Sequence, residues 1–246
     1  MHADCVYCGC MSFSFSILIG TALLAGLVFG SFLNVCIVRL PAHRSIVAPP
    51  SHCQACGAHI GALDNIPLFS WIWLRGKCRT CHARISIQYP LVELGTALLW
   101  MACVLQTGAT WQTLIDAAAC FLLLGLAVMD AQTMLLPDTF TLTGIGVAFL
   151  LRVGAPAIES RGQTAIRTLG SAAIAAALLL LIWLLYWLVR RRNGLGMGDV
   201  KLMAMIGAFL GLQLVLFSYF VGVLAAALFA IVLRSEERRV GKECRL

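Results

Sequence analysis

The sequence predicts an all-α polytopic membrane protein of about seven transmembrane helices, with a small zinc-binding domain inserted after the first helix. Three observations carry this expectation. Of 246 residues, 61% are hydrophobic and only 12% are charged, whereas a soluble domain carries roughly 25% charged residues. Apolar runs of membrane-crossing length recur along the chain. Between the first and second runs lies a polar, proline-broken stretch with two Cys-x-x-Cys pairs. The net charge of +7 does not argue for a nucleic-acid partner. The basic residues sit in short loops beside apolar segments, where they set topology against a lipid bilayer.

Residues 1–40 hold a tail and the first span. The tail carries His2, Cys5, Cys8 and Cys10, and reads as loose, with a metal or disulfide role uncorroborated. Phe13 to Val38 is apolar and long enough to cross a bilayer. It is not expected to be a cleaved signal, because no Lys or Arg precedes it and no small-residue cleavage site follows. Gly26 and Gly30, four apart, could seat a close helix contact.

Residues 41–89 differ in kind. Arg44, Arg75, Lys77, Arg79 and Arg84 stand there against a single acid, Asp64. Pro41, Pro49, Pro50 and Pro67 break any long helix. A domain of this size needs a staple to stay folded.

Residues 90–233 form the polytopic core. Leu91–Gln106 carries Glu93 near its start, Leu114–Met129 runs into Asp130, and Phe140–Leu151 follows a short polar stretch. A long segment spans Leu169–Val189 and closes on Arg190, Arg191 and Arg192. The last apolar part, Leu202–Leu233, holds Gly207, Gly211 and Gln213 near its middle, which suggests two helices and a tight turn. Residues 234–246 are a polar, charged tail. Cys36, Cys103 and Cys120 lie within apolar runs and read as inert small hydrophobes.

With the N-terminus outside, three of the four inner segments are strongly basic, as the positive-inside rule requires. Arg152, Arg161 and Arg167 then fall outside, a modest violation. In this orientation Asp130 and Asp199 lie at cytoplasmic helix ends on different helices.

Two constellations carry chemistry. Cys53, Cys56, Cys78 and Cys81 form two knuckles that can present four thiolates tetrahedrally, which suits structural zinc. A redox dithiol or a metal-free domain is the alternative, and reduced cytoplasmic thiols disfavour two disulfides. His52, His59 and His82 adjoin the cysteines but are not needed as ligands. The second constellation is Asp130 with Asp199. Two carboxylates brought together share a proton, which is the basis of aspartyl peptide hydrolysis. Gly196 and Gly198 leave room for a substrate backbone. The competing reading makes both aspartates helix-end residues, with Asp199 as an N-cap.

The chain carries an ordered series of motifs. The series begins with Gly30-Ser31-Phe32-Leu33-Asn34-Val35 and Arg39-Leu40-Pro41. It continues through the cysteine pairs flanking Asp64-Asn65-Ile66-Pro67-Leu68-Phe69-Ser70-Trp71, then Tyr89-Pro90-Leu91-Val92-Glu93-Leu94. It ends with Asp130, Leu135-Leu136-Pro137-Asp138 and Gly196-Met197-Gly198-Asp199-Val200-Lys201-Leu202. In this order the series resembles the type IV prepilin peptidases, membrane aspartyl proteases of the Gly-x-Gly-Asp type that also methylate their product. The resemblance implies Asp130 and Asp199 as the catalytic pair, with Gly196, Gly198, Asp138 and Lys201 in support. It implies zinc on Cys53, Cys56, Cys78 and Cys81, and S-adenosylmethionine as methyl donor. No glycine-rich methyltransferase fingerprint is present, and Glu93 is a guess for that site. Type IV prepilins or pseudopilins of a pilus or secretion system would be the substrates. Cleavage would follow the basic leader at the cytoplasmic face of the bacterial inner membrane, with the N-terminus periplasmic.

The tail departs from the family pattern, in which a further apolar segment usually follows. A non-catalytic transporter or scaffold with intramembrane carboxylates, or a presenilin-like protease, would share the aspartates. Neither has an evident need for the cysteine domain.

Overall fold

The computed structural model describes residues 4–156, 160–191 and 196–243. The chain forms α1 (Asp4–Arg39), a 3-10 turn (Ala62–Asn65), α2 (Phe69–Trp73), α3 (Gln88–Thr107), α4 (Trp111–Thr133), α5 (Asp138–Gly154), α6 (Arg161–Arg190), α7 (Met197–Leu210) and α8 (Leu212–Glu243). The described residues contain no strand, only two isolated bridges. The tail residues His2, Cys5, Cys8 and Cys10, together with Arg192, lie where no side-chain structure is described. The seven apolar segments become α1 and α3–α8. Five of these helices (α1, α3, α4, α6 and α8) are long and apolar enough to cross a membrane. The other two, α5 with 17 residues and α7 with 14, fall below the ~20 residues a full span needs.

Glycine seats the first two helices together. A methyl group in place of the Gly26 hydrogen would lie 2.5 Å from the Ala97 Cα, and one at Gly30 would lie 2.6 Å from the Glu93 Cα. The Asn34 amide donates to the Tyr89 carbonyl at 3.0 Å. Leu33, Ile37, Val92, Leu122, Leu126, Met129, Phe140 and Met205 fill a core shared by α1, α3, α4, α5 and α7. At the other side, Gly207 lets α7 approach α6, and the Ser171 hydroxyl donates to the Gly207 carbonyl at 2.8 Å.

Helices α5 and α7 run parallel, tied at both ends. Lys201 Nζ donates to Asp138 Oδ1 at 2.6 Å near their starts. Near their ends Arg152 Nε donates to the Phe209 carbonyl at 3.0 Å. The last carbonyls of a helix have no partner within it and carry partial negative charge. Arg152, which counted against the orientation by charge alone, satisfies one of them. The turn between α7 and α8 falls at Gly211, whose φ of +79 is open to glycine. Helix α8 continues through the polar tail to Glu243.

Candidate active site and metal centre

Residues 40–87 form two equivalent knuckles. In the first, the Cys53 amide donates to the Ala58 carbonyl at 2.8 Å. In the second, Cys78 donates to Ala83 at 2.9 Å. Each turn places a left-handed residue four positions after its first cysteine, Gly57 at φ +71 and His82 at φ +57. His82 therefore has a backbone role, and the His52 ring pairs with the Pro50 carbonyl at 3.1 Å.

The two turns bring the sulfurs of Cys53, Cys56, Cys78 and Cys81 within 4.8 Å of one another. Cys53 Sγ and Cys81 Sγ are 3.8 Å apart. Thiolates about 2.3 Å from a shared zinc are separated by about 3.8 Å, whereas a disulfide would require about 2.05 Å. The donor chemistry points the same way. Amides of Cys56 and Ala55 bond the Cys53 sulfur and lower its pKa to about 6. Those of Cys81 and Thr80 lower Cys78. The Ala83 amide pulls Cys81 down, but the neighbouring Cys56 thiol, desolvation and the other two thiols outweigh it and push Cys81 up to about 11. Four thiols in one cluster resist full ionisation unless a cation joins them, so these residues fit a structural metal. Arg79, between the second pair of cysteines, forms a bidentate pair with Asp64. This pairing of the stretch's single acid was not apparent from the sequence.

Trp71 anchors α2 to the second knuckle, donating Nε1 to the Ile85 carbonyl at 3.3 Å. Gly76, at φ +66, lies against the Trp71 ring. The domain is fixed to the helices through Glu93, which is buried. Its Oε2 accepts from the Leu68 amide at 2.8 Å. Glu93 thus joins α3 to the cysteine domain.

Asp130 lies in the last turn of α4, which extends to Thr133 rather than stopping at Met129. Met134, at φ +51, ends the helix and donates its amide to the Asp130 carbonyl at 2.8 Å. Asp199 is the third residue of α7. The cap is Gly196, with no side-chain cap bond, so the N-cap reading of Asp199 does not hold. Its Oδ2 lies 3.5 Å from the position a Gly196 methyl would take. Gly198 packs against Leu136, where a methyl would meet the Leu136 Cβ at 3.1 Å. Leu136 was visible only as part of the Leu-Leu-Pro-Asp motif. Together with the Lys201–Asp138 pair, this contact sets the first turn of α7 against the segment following Asp130. Both Asp130 and Asp199 are exposed, and among the described residues no hydrogen bond joins their side chains.

Beside this end a cleft of about 430 Å³ opens between the close of α1, the first knuckle, the start of α3 and the end of α4. Gln54, Gln88, Gln132 and Thr133 line its polar wall, and Ile37, Pro41 and Leu135 its apolar one.

Two family descriptions match successive parts of the chain. The Bacterial Peptidase A24 N-terminal domain covers residues 24–107, and the Type IV leader peptidase family covers residues 117–231. The chain is similar to proteins named prepilin leader peptidase/N-methyltransferase. That of Aeromonas hydrophila is 40% identical, over 77% of this chain and 72% of its own length. That of Aeromonas salmonicida is 37% identical, over 85% and 78%, and that of Neisseria gonorrhoeae 35% identical, over 89% and 83%. No solved structure gives a significant match. By these matches over most of its length, the chain belongs to the type IV leader peptidase family.

Proposed function

We propose that this chain cleaves the basic leader from type IV prepilins or pseudopilins at the cytoplasmic face of the inner membrane, and methylates the new amino terminus. The observation that carries the site is the convergence of α7 on the α4–α5 segment, through Lys201–Asp138 and Gly198–Leu136. Asp130 and Asp199 stand on the two sides of that junction, at the end rich in Arg and Lys, where the positive-inside rule keeps a basic leader.

In the reaction, one carboxylate of the pair is ionised and takes a proton from water as its oxygen attacks the scissile carbonyl carbon. The other donates its proton to the carbonyl oxygen. The tetrahedral species collapses with cleavage of the carbon–nitrogen bond, and the leaving nitrogen takes up a proton from the pair. Such a pair titrates as a unit. Gly196 and Gly198 admit the substrate backbone beside Asp199.

Cys53, Cys56, Cys78 and Cys81 would hold zinc as a structural staple. S-adenosylmethionine, when bound, supplies an electrophilic methyl group for the new amine. The cleft lined by Gln54, Gln88 and Gln132 is the proposed place for the donor, with Glu93 holding the cysteine domain against the helices beside it.

Mass spectrometry of a co-expressed prepilin tests both activities. The expected product lacks its leader and gains one methyl group. Asp130→Asn and Asp199→Asn, each expressed at wild-type level, should leave the precursor intact. Substantial cleavage by either variant would refute the assignment of the pair.

A further inference from the structure

We infer that the face of the cysteine domain formed by Leu63, Ile66, Phe69, Ile72 and Trp73 is an interfacial anchor that rests in the bilayer surface. These side chains are 78%, 41%, 60%, 66% and 71% exposed. Phe69, Ile72 and Trp73 are spaced i, i+3, i+4 and so share one face of α2. The Phe69 and Trp73 rings stack with centroids 6.0 Å apart. Trp71, on the opposite side of α2, turns inward to the Ile85 carbonyl. The domain thus buries one aromatic of this short helix and leaves the others outside. A contiguous apolar patch of this kind marks an interaction surface.

Position identifies the bilayer as the occupant. The Leu68 amide, immediately before α2, is bonded to Glu93. Glu93 lies five residues into α3, or about 8 Å along its axis, and α3 is itself a candidate membrane span from Gln88 to Thr107, the ~20 residues that cross the hydrocarbon core. The chain leading into α2 therefore sits back beside a membrane-spanning helix, near the hydrocarbon boundary. At the same depth, Ile87, Leu91 and Leu94 form an exposed apolar stripe at the start of α3, so the patch lies level with the surface α3 presents to lipid. Tryptophan beside exposed cationic residues is the composition favoured at that boundary. Arg75 and Lys77, directly after Trp73, are exposed and would meet anionic headgroups. The same seating would hold the four cysteines and Gln54 at a fixed height over the helix ends.

The test is photocrosslinking in the full chain, reconstituted in phosphatidylethanolamine–phosphatidylglycerol vesicles. Phe69→p-benzoylphenylalanine and Trp73→p-benzoylphenylalanine each replace an exposed ring, and Thr80→p-benzoylphenylalanine on the second knuckle serves as reference. Lipid adducts at 69 and 73 should exceed those at 80 by about fivefold or more, as expected for side chains in the interface. Lipid adducts no more frequent than at 80 would overturn the inference. So would adducts to a second copy of the chain, or to a co-reconstituted prepilin in place of lipid. The readout needs no peptidase or methyltransferase activity, so it stands apart from the proposed function.

Discussion

The α1–α3 seam gives a quantitative test of how the membrane helices are held. Gly26 and Gly30 are one helical turn apart and meet Ala97 and Glu93 directly. Alanine methyls there would come within 2.5 and 2.6 Å of backbone Cα atoms, against ordinary carbon contacts of about 3.5–4.0 Å. The shortfall of about 1 Å falls on backbone, which cannot swing aside as a side chain would, so the helices must part along the seam. Overpacking of this kind costs about 1–3 kcal/mol per site. The two sites share one seam, so their effects combine below simple addition. Alanine's better helix propensity returns at most about 1 kcal/mol at each position. The net cost is about 2 kcal/mol, and at roughly 2–4 °C per kcal/mol for a chain of this size the Gly26→Ala/Gly30→Ala protein should melt about 4–8 °C below wild type in detergent. Gly20→Ala is the control, because nothing lies within 4 Å of the added methyl, and it should melt at or slightly above wild type. A double variant within about 2 °C of wild type would refute the close-packed seam.

Elemental analysis of the purified chain should find about one zinc per molecule, lost in Cys53→Ser; a folded wild-type protein without metal would refute the centre. Arg79 holds the Asp64 carboxyl below its ordinary 3.8. A depressed folded-state pKa contributes stability above the unfolded pKa, and that stability is lost as pH falls through the folded value. Asp64→Asn should therefore speed amide exchange in the cysteine domain at neutral pH, and the difference from wild type should vanish in acid. The Lys201–Asp138 pair is partly exposed and is worth at most about 1 kcal/mol, so Lys201→Met should barely move the melting temperature while slowing prepilin cleavage. A Lys201→Asp/Asp138→Lys swap should recover part of the rate; a swap no faster than either single change would indicate that the pair does not position α7.

The two shortest membrane helices meet at the proposed chemistry. Helix α5 opens with Asp138 and α7 with Asp199 close behind its cap. Their parallel course, fastened by Lys201 at one end and Arg152 at the other, leaves little freedom for the first turn of α7 to drift from the end of α4.

By itself the sequence determined the helical class, the number of apolar segments and the four-cysteine centre. These follow from local properties: hydropathy over a span, glycine and proline punctuation, and paired cysteines whose turns close within a few residues. It also determined the family, because ordered motifs need no coordinates. Helix limits were less legible. Helix α4 runs past Met129 until the left-handed Met134 stops it, and Asp199 sits inside α7 rather than capping it, since cap geometry depends on φ and ψ that residue type only biases. Only the tertiary structure decided which distant residues meet: Lys201 with Asp138, Gly198 with Leu136, Glu93 with the Leu68 amide, and Arg152 with the last turn of α7. Those partners lie 25 to 63 residues apart, and at such separations the pairing is set by how helix surfaces close-pack. That depends on the whole bundle at once and leaves no local periodicity to read.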